Sequence, residues 1–407
     1  MQTALLPELL NTPEGARADA ILRSCVHCGF CTATCPTYQL LGDELDGPRG
    51  RIYQIKQALE GQNVTRETQK HLDRCLTCRS CETTCPSGVA YGELVDIGRE
   101  FVDAKVKRPY MERAVRFLLR LIVPNPKLFT PLLRIGQILR PLMPSVLAKK
   151  TPLKQVRLPA PAASNHARKM ILLDGCAQKA ATPNTNLAAR HILNDLGIET
   201  IMPAAQGCCG AVSQHLSAPD QAQDFMRRNI DACWPYIEQG AKAIISTASG
   251  CGVLLKDYGH LLAQDTAYAA KAARFSALVR DVGEILLEED LSQFKLKTPR
   301  KIAFHAPCTL QHGQQLQGKY EKMLADIGFE LTKVKDSHLC CGSAGTYSVL
   351  QPKLAKQLRN NKLQALKGGD LIATANIGCQ LHLQTGTDQK IVHWLELLYD
   401  VSLNSKI

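Results

Sequence analysis

The sequence predicts a mainly helical amino-terminal domain followed by a duplicated α/β module. Two observations lead to this prediction. The spacing C-x2-C-x2-C-x3-C-P occurs twice, at residues 25–36 and 75–86. Beyond about residue 168, short apolar strands alternate with helical segments, and a cysteine pair recurs at a fixed distance from an earlier cysteine. The first pattern indicates a metal-binding domain, and the second indicates an internal repeat.

Each cysteine run has the spacing of a ligand set for iron–sulfur clusters. Three cysteines can wrap one corner of a cubane, while the fourth, set apart by one more residue and followed by proline, points to a second cluster. Zinc sites also use C-x2-C pairs. However, a zinc site would not require four cysteines and a following proline in both runs. The spacing predicts two [4Fe–4S] clusters with exchanged fourth ligands: Cys25, Cys28, Cys31 and Cys85 for the first, and Cys75, Cys78, Cys81 and Cys35 for the second.

The composition is that of a globular protein with two or three domains, at 407 residues and 45% hydrophobic content. The amino terminus lacks the basic region and cleavage site of a signal peptide, which predicts a cytoplasmic protein. In that reducing compartment, seventeen cysteines indicate metal ligands or reactive thiols. No apolar run reaches the roughly 18 to 20 residues of a transmembrane helix, so any membrane contact is expected to be peripheral.

Residues 1–105 are predicted to form the helical domain. Ile52, Ile55 and Leu59 have the spacing of one apolar helix face between the two cysteine runs. A helix in this position resembles the α-helical ferredoxin domain of the iron–sulfur subunits of fumarate reductase and succinate dehydrogenase.

The segment 42–51 contains glycines but lacks the Lys-Ser/Thr of a phosphate-binding loop. One interpretation is a turn that brings Arg49 and Arg51 near the clusters, where cations would favour the reduced state. The other is an arginine pair at the solvated start of a helix.

Residues 106–166 are predicted to be a proline-broken helical linker, whose last part, 158–164, is an extended Pro/Ala tether. Within residues 108–150 the apolar residues are interrupted by nine basic residues and a single acid, Glu112, a pattern that suits a membrane interface. Alternatively, these helices pack on the ferredoxin domain or a partner subunit and keep their basic residues solvated. The basic residues are Arg108, Arg113, Arg116, Arg120, Lys127, Arg134, Arg140, Lys149 and Lys150.

The α/β module is predicted to contain two copies, 167–297 and 298–407. In each copy 31 residues separate a first cysteine from a cysteine pair. The predicted elements are strand 169–174, helix 184–196, strand 199–202, helix 219–239 and strand 243–247 in the first copy, and strand 301–304, helix 316–327 and strand 371–374 in the second.

Cysteines follow the predicted strands or lie in the loops between elements. Since the carboxyl ends of parallel strands open onto the ligand crevice, these cysteines are candidate metal ligands. A ninth cysteine, Cys233, lies on an apolar helix face and is predicted to be a core residue. The candidates are Cys176, Cys208, Cys209 and Cys251 in the first copy, and Cys308, Cys340, Cys341 and Cys379 in the second.

These cysteine motifs resemble the CCG domains of heterodisulfide reductase, of the anaerobic glycerol-3-phosphate dehydrogenase C subunit, and of lactate-utilisation and glycolate oxidase iron–sulfur subunits. The order of a two-cluster ferredoxin and two CCG repeats is most similar to the glycolate oxidase (glycolate dehydrogenase) group, as are the segments 25–38 and 305–312. The fold class is therefore expected to be an α-helical ferredoxin domain followed by a duplicated α/β cysteine-rich (CCG) module.

The resemblance implies an electron-transfer subunit of an oxidoreductase with no catalytic residues of its own. Its implied partners are a flavin (FAD) subunit that oxidises glycolate to glyoxylate and a second FAD-domain-like subunit. Membrane quinone is the implied acceptor, which places the chain on the cytoplasmic face of the inner membrane. No G-x-G-x-x-G follows a strand, and no Ser-His-Asp arrangement is recognisable, which agrees with an organic substrate site on another chain.

The chain departs from heterodisulfide reductase at the third CCG element. That family has C-x2-C there, whereas residues 251–254 and 379–382 read Cys-Gly-Val-Leu and Cys-Gln-Leu-His. Four thiols per copy argue against a noncubane cluster and leave an ordinary [4Fe–4S] cluster, zinc or a vestigial site. His312 and His382 are candidates to replace a lost ligand, or they are structural residues.

Other functions compete with electron transfer for glycolate oxidation. They are a heterodisulfide-reductase-like thiol/disulfide reductase subunit, and the iron–sulfur subunit of a lactate or glycerol-3-phosphate dehydrogenase. A zinc-stabilised nucleic-acid binder is favoured only by the net charge of +12 and the basic isoelectric point, and no nucleic-acid partner is expected.

Overall fold

A computed structural model describes residues 1–162 and 165–405. The amino-terminal region is helical, and several of its helices begin at a proline or after a capping threonine, as at Thr12 and Thr65. A 3₁₀ turn at Glu44–Asp46 precedes the fifth helix. The helices of this region are α1 Pro7–Leu10, α2 Pro13–Ser24, α3 Phe30–Ala33, α4 Pro36–Leu41, α5 Pro48–Leu59, α6 Arg66–Asp73, α7 Ser80–Thr84 and α8 Tyr91–Lys105.

Helix α5 is the helix predicted between the cysteine runs, and it is the centre of this region. Ile52, Ile55 and Leu59 are all buried and belong to one hydrophobic core. Helix α8 packs closely against α5, since a Cβ at Gly98 would lie 2.6 Å from the Ile55 side chain. The predicted apolar face therefore holds the two cysteine runs on one scaffold.

The linker contains three helices, α9 Tyr110–Ile122, α10 Pro126–Leu139 and α11 Ser145–Lys150, with a 3₁₀ turn at Arg140–Leu142. Residues 152–162 contain no helix or strand. Asn184 fixes this segment, because its side chain accepts a hydrogen bond from Leu158 N–H and donates one to Val156 O. The predicted tether 158–164 is irregular as far as it is described, and its residues 163–164 lie outside the described residues.

Two four-stranded parallel sheets follow. The strands are β1 Arg168–Leu173, β2 Ile198–Ile201, β3 Ile244–Ser246, β4 Val279–Asp281, β5 Arg300–His305, β6 Phe329–Leu331, β7 Leu371–Thr374 and β8 Ile391–His393. The sheet orders are β2-β1-β3-β4 and β6-β5-β7-β8. Equivalent strands take equivalent places in the two sheets, as duplication requires.

Helices connect the strands of each repeat. In the first repeat they are α12 Cys176–Ala181, α13 Pro183–Asp195, α14 Ala211–His215, α15 Pro219–Glu238, α16 Ser249–Leu261, α17 Ala269–Leu278 and α18 Val282–Leu286. In the second they are α19 Lys319–Ile327, α20 Tyr347–Leu350, α21 Pro352–Ala365, α22 Ile377–Gln384 and α23 Trp394–Ser405. A 3₁₀ turn at Ser292–Phe294 joins the repeats, and a π-helical turn at Thr309–Gly313 follows β5.

The predicted fold class, a helical ferredoxin region before a duplicated α/β module, is confirmed. The predicted strands lie within two residues of β1, β2, β3, β5 and β7, whereas β4, β6 and β8 were not predicted. Each of these three strands has only three residues.

The two repeats share a hydrophobic core, although the sequence suggests two separate units. Leu172 and Ile192 of the first repeat belong to the same buried cluster as Phe304 and Trp394 of the second. Helix α23 of the second repeat packs along α13 of the first. The boundaries 1–105, 106–166, 167–297 and 298–407 stay predictions.

Within the described residues, every helix is too short or too polar to cross a bilayer.

Candidate metal centres

The first cysteine-lined cavity lies at the surface of the helical region. Its walls include Cys25, Cys28, Cys31 and Cys85, the set that the spacing assigns to the first cluster. The cavity opens to solvent beside the exposed Cys28. Cys85, the fourth cysteine of the second run, thus lines the same cavity as three cysteines of the first run.

The second cavity lies among more deeply buried cysteines. Cys35, Cys75, Cys78 and Cys81 line it, which is the set assigned to the second cluster. Cys81 also borders the first cavity, so the two cavities are neighbours. The structure therefore brings together both predicted sets with Cys35 and Cys85 exchanged.

Left-handed residues shape both cysteine loops. His27 and Gly29 have φ of 56° and 84°, and Thr77 and Arg79, at the same places in the second run, have 50° and 58°. These turns direct successive cysteines to one side of the loop. The Thr77 N–H donates a hydrogen bond to Cys75 Sγ at 3.4 Å, as backbone amides do around ligand sulfurs.

Three of the thiols around the cavities are buried enough to have a raised pKa. Burial raises the pKa of Cys31 to about 11 and raises the pKa of Cys78 and Cys81 well above the ordinary value. Cysteine binds metal as the thiolate, so binding must release these protons. These thiols therefore suit an iron–sulfur cluster, whose iron ions bind the sulfurs in place of the released protons.

Both arginines of the 42–51 segment reach a cavity wall. Arg49 borders the first cavity and pairs with Glu44 at 2.6 Å. Arg51 borders the second cavity, is 1% exposed and pairs with Asp46 at 3.3 Å. The solvated alternative is wrong for Arg51. The sequence analysis missed that a carboxylate offsets each cation.

In the first α/β repeat, four cysteine thiols form a row in which each thiol lies beside the next. Cys176 begins α12 after β1, the pair Cys208 and Cys209 lies in the loop after β2, and Cys251 lies in the first turn of α16 after β3. The side-chain contacts run from Cys176 to Cys208, then to Cys209 and to Cys251. Cys176 and Cys251 at the two ends are half-buried.

The second repeat has the same chain of thiols, and all four are buried. Cys308 Sγ lies 3.7 Å from Cys340 Sγ, and contacts continue to Cys341 and then to Cys379. The structure thus brings together all eight predicted CCG cysteines as two sets of four.

The glycine of each CCG motif has a geometric cause. Gly210 and Gly342 have φ of 97° and 86°, which a side chain disfavours. A Cβ would approach the carbonyl oxygen of Ala222 at 3.1 Å in one repeat and that of Ala355 at 2.7 Å in the other. Each glycine N–H also donates to the first sulfur of its pair at 3.4 Å.

The histidines suggested as replacement ligands are bonded elsewhere. His312 Nε2 donates to His338 O at 2.9 Å, and its Nδ1 bonds to Thr83 Oγ1 at 2.9 Å. His382 Nε2 donates to Ala355 O at 3.2 Å. The imidazole that lies among the thiols is His305, which the sequence analysis missed as a donor. Its place three residues before Cys308, at the end of β5, was the available signal.

Cys233 is 0% exposed and packs in the core of the first repeat, as predicted.

The second cavity adjoins the second repeat. Cys78 packs against a buried cluster that includes Cys308 and Cys340. The Thr83–His312 hydrogen bond crosses the same boundary. Arg79, between two ligand candidates, forms an ion pair at 2.6 Å with Asp257 of the first repeat. The α/β module therefore forms part of the surroundings of the second cluster site.

Comparisons with known proteins agree with this architecture. A 4Fe-4S dicluster domain model matches residues 21–89, and the cysteine-rich CCG domain model matches residues 170–256 and 302–384. The chain is 54% identical over 401 residues, 98% of each chain, to the glycolate oxidase iron–sulfur subunit of Escherichia coli (strain K12). The chain belongs to the glycolate oxidase iron–sulfur subunit family.

More distant relatives retain part of the same plan. The probable glycolate oxidase iron–sulfur subunit of Bacillus subtilis (strain 168) is 28% identical over 94% of each chain. Lactate utilization protein A of Exiguobacterium sp. is 24% identical over 55% of this chain and 94% of its own length. As a family member with a dicluster domain, the chain is an iron–sulfur protein with two [4Fe–4S] clusters, and the zinc interpretation of the two runs is set aside.

Exchange of the fourth ligand can be tested with Cys35→Ser. We expect this change to damage the cluster of the distant run, Cys75 to Cys81, because Cys35 lines that cavity. Electron paramagnetic resonance (EPR) of the reduced protein measures each cluster. Cys233→Ser removes a buried thiol outside both cavities and should leave both signals. Loss of the signal from the cluster of Cys25, Cys28 and Cys31 alone would contradict the exchange.

Proposed function

We propose that this chain is the iron–sulfur electron-transfer subunit of a flavin-dependent glycolate dehydrogenase complex, which oxidises glycolate to glyoxylate. The observation that carries the proposal is the 54% identity, over 98% of both chains, to a glycolate oxidase iron–sulfur subunit. The two adjacent cysteine-lined cavities support an electron-transfer role. The organic substrate site would lie on another chain, and no residue here is assigned a catalytic role.

The proposed ligands are the two exchanged sets, Cys25, Cys28, Cys31 with Cys85, and Cys75, Cys78, Cys81 with Cys35. Clusters held there supply one-electron transfer. Their arrangement suits a carrier, because the first cavity opens at the surface while the second lies beside the α/β module. The eight CCG cysteines are further proposed as candidate ligands of a third metal centre in one or both repeats.

The proposed partners are an FAD-containing glycolate dehydrogenase subunit and a second FAD-domain-like subunit, with membrane quinone as the acceptor. The mouth of the first cavity has an apolar rim that suits protein docking. Val26 and Phe30 flank Cys28 in sequence, and their side chains are 67% and 59% exposed. Exposed apolar side chains around a redox site favour a partner that excludes water.

Isolation of the native complex tests this function. We expect affinity-tagged chain, purified from its own cells, to retain flavin subunits and to couple glycolate oxidation to reduction of a quinone analogue. Cys78→Ser should abolish quinone reduction but leave reduction of the flavin by glycolate, since the substrate site is on another chain. Turnover with lactate or glycerol 3-phosphate in place of glycolate, or the absence of a flavoprotein, would contradict the proposal.

We also propose that the linker helices seat the complex on the cytoplasmic face of the inner membrane. Their outer face is apolar and exposed: Phe117, Leu121, Ile135, Ile138 and Leu142 are between 42% and 83% exposed. Exposed basic residues, including Arg113 and Lys127, accompany them. An apolar face bordered by cations suits an anionic bilayer surface.

Two of the nine basic residues have a structural role instead. Arg108 and Arg116 both pair with Asp73, at 2.6 and 2.9 Å, and attach α9 to the ferredoxin region. The local excess of charge available to a membrane is therefore smaller than the sequence suggests. A membrane-binding test must leave these two arginines unchanged.

Vesicle binding tests the membrane proposal. We expect a triple variant, Arg113→Gln, Lys127→Gln and Lys150→Gln, to bind vesicles of anionic lipid about 100-fold more weakly, at about 1 kcal/mol for each lost charge. Co-sedimentation measures the affinity. The control replaces exposed lysines of the second repeat, Lys353, Lys356 and Lys367, by glutamine. Equal binding by the linker variant and the wild type would contradict the membrane role.

A further inference from the structure

We infer that Tyr91 and Arg51 are positioning residues of the second cluster site, and that they raise the reduction potential of the cluster held there. Both side chains line the second cavity. Each acts through a different proposed ligand, Tyr91 through Cys75 and Arg51 through Cys35. The inference rests on the ligand set proposed above for the second cluster. It deepens the proposed function, which does not say what sets either potential.

Burial makes the second cluster site a poor place to add an electron. Cys35, Cys75 and Cys81 are buried, whereas Cys28 of the first site is exposed. A cubane held by four thiolates carries negative charge, and reduction adds one more. A buried site disfavours added charge unless hydrogen-bond donors or cations compensate for it. Compensating groups on the wall of the second cavity therefore act directly on the potential.

Tyr91 supplies a hydrogen bond to a ligand sulfur. Its hydroxyl donates to Cys75 Sγ at 3.5 Å, and the residue is 4% exposed. The same sulfur accepts a bond from Thr77 N–H at 3.4 Å. Donors of this kind favour the reduced state, because a sulfur that carries more charge accepts more strongly. Tyr91 also borders the first cavity, but its hydroxyl is bonded to a ligand of the second.

Arg51 brings a buried cation to the same wall. The residue is 1% exposed, and its Nη1 donates to Thr37 Oγ1 at 3.2 Å. Thr37 Oγ1 in turn lies 3.3 Å from Cys35 Sγ. The guanidinium is close enough to Cys35 and Cys75 to interact with the charge of their sulfurs. A positive charge that solvent does not screen favours the more negative state of the cluster.

The carboxylate beside Arg51 does not cancel this charge. Asp46 accepts from Arg51 at 3.3 Å, but it also pairs with Arg74 at 2.7 Å. His71 Nδ1 bonds to the same carboxylate at 3.0 Å. Two arginines thus share one carboxylate, which leaves one positive charge beside the second cavity.

The cation at the first cavity is matched and solvated. Arg49 pairs with Glu44 at 2.6 Å, and the two side chains are 37% and 40% exposed. Solvent screens a pair of this kind, so its effect on the first cluster is small. The buried donor and the buried cation therefore act on the cluster site that burial makes harder to reduce.

Redox titration of the full-length, anaerobically purified chain, followed by EPR, tests the inference. Tyr91→Phe keeps the ring and removes the hydroxyl. We expect the equilibrium constant for reducing the second cluster to fall about tenfold, or about 59 mV for one electron, while the first cluster is unchanged. Arg51→Gln should lower the same potential. Tyr53→Phe, which changes an exposed tyrosine of α5, should change neither potential.

A soluble dysprosium complex assigns the two signals, because it broadens the signal of the first cluster, whose cavity opens to solvent beside Cys28. An unchanged or higher second potential in Tyr91→Phe, an equal fall at both clusters, or the same fall in Tyr53→Phe would each overturn the inference. If Arg51→Gln fails to fold, Tyr91→Phe and its control still decide. The titration uses dithionite and neither glycolate nor partner subunits, so its failure is distinguishable from failure of the proposed function.

Discussion

The exchange of Cys35 and Cys85 between the two cysteine-lined cavities is the constraint on which the rest of the structure depends. Each run must keep three cysteines at its own cavity and extend the fourth to its neighbour. The two runs must therefore lie side by side, and α5, between the runs, supports this by packing its Ile55 closely against Gly98 of α8, which follows the second run. Buried Arg51 of α5 donates a hydrogen bond to His71 O of α6, just before the second run, at 2.7 Å.

The α/β module contributes to the same arrangement. Its second repeat packs against Cys78 of the second cavity through a buried cluster with Cys308 and Cys340, while the first repeat binds Arg79 through Asp257. A shared hydrophobic core packs the two repeats together, with Trp394 fully buried within it. Thus the duplicated module shields one cluster site, and the other stays open at the surface beside Cys28.

Much of the fold and of the cysteine sites was predictable from the spacing of the cysteines and from the apolar segments of the sequence. The two exchanged ligand sets follow from the spacing of each run, and the central strands of both sheets follow from short apolar segments. Contacts between distant residues were not predictable. Asp46 and Glu44 pair with the arginines because of a turn that sequence does not specify. His305 was missed, and His312 and His382 were suggested instead, because the orientation of an imidazole depends on which hydrogen-bond partners the fold supplies.

Rapid freeze-quench EPR tests the proposal that this chain carries electrons from a flavin partner. The purified complex is mixed anaerobically with glycolate and frozen during the first turnover. The account predicts signals from both reduced [4Fe–4S] clusters, their loss when a quinone analogue is added, and no reduction by glycolate of the isolated chain. Complete turnover to glyoxylate and reduced quinone while both clusters stay oxidised would contradict the account.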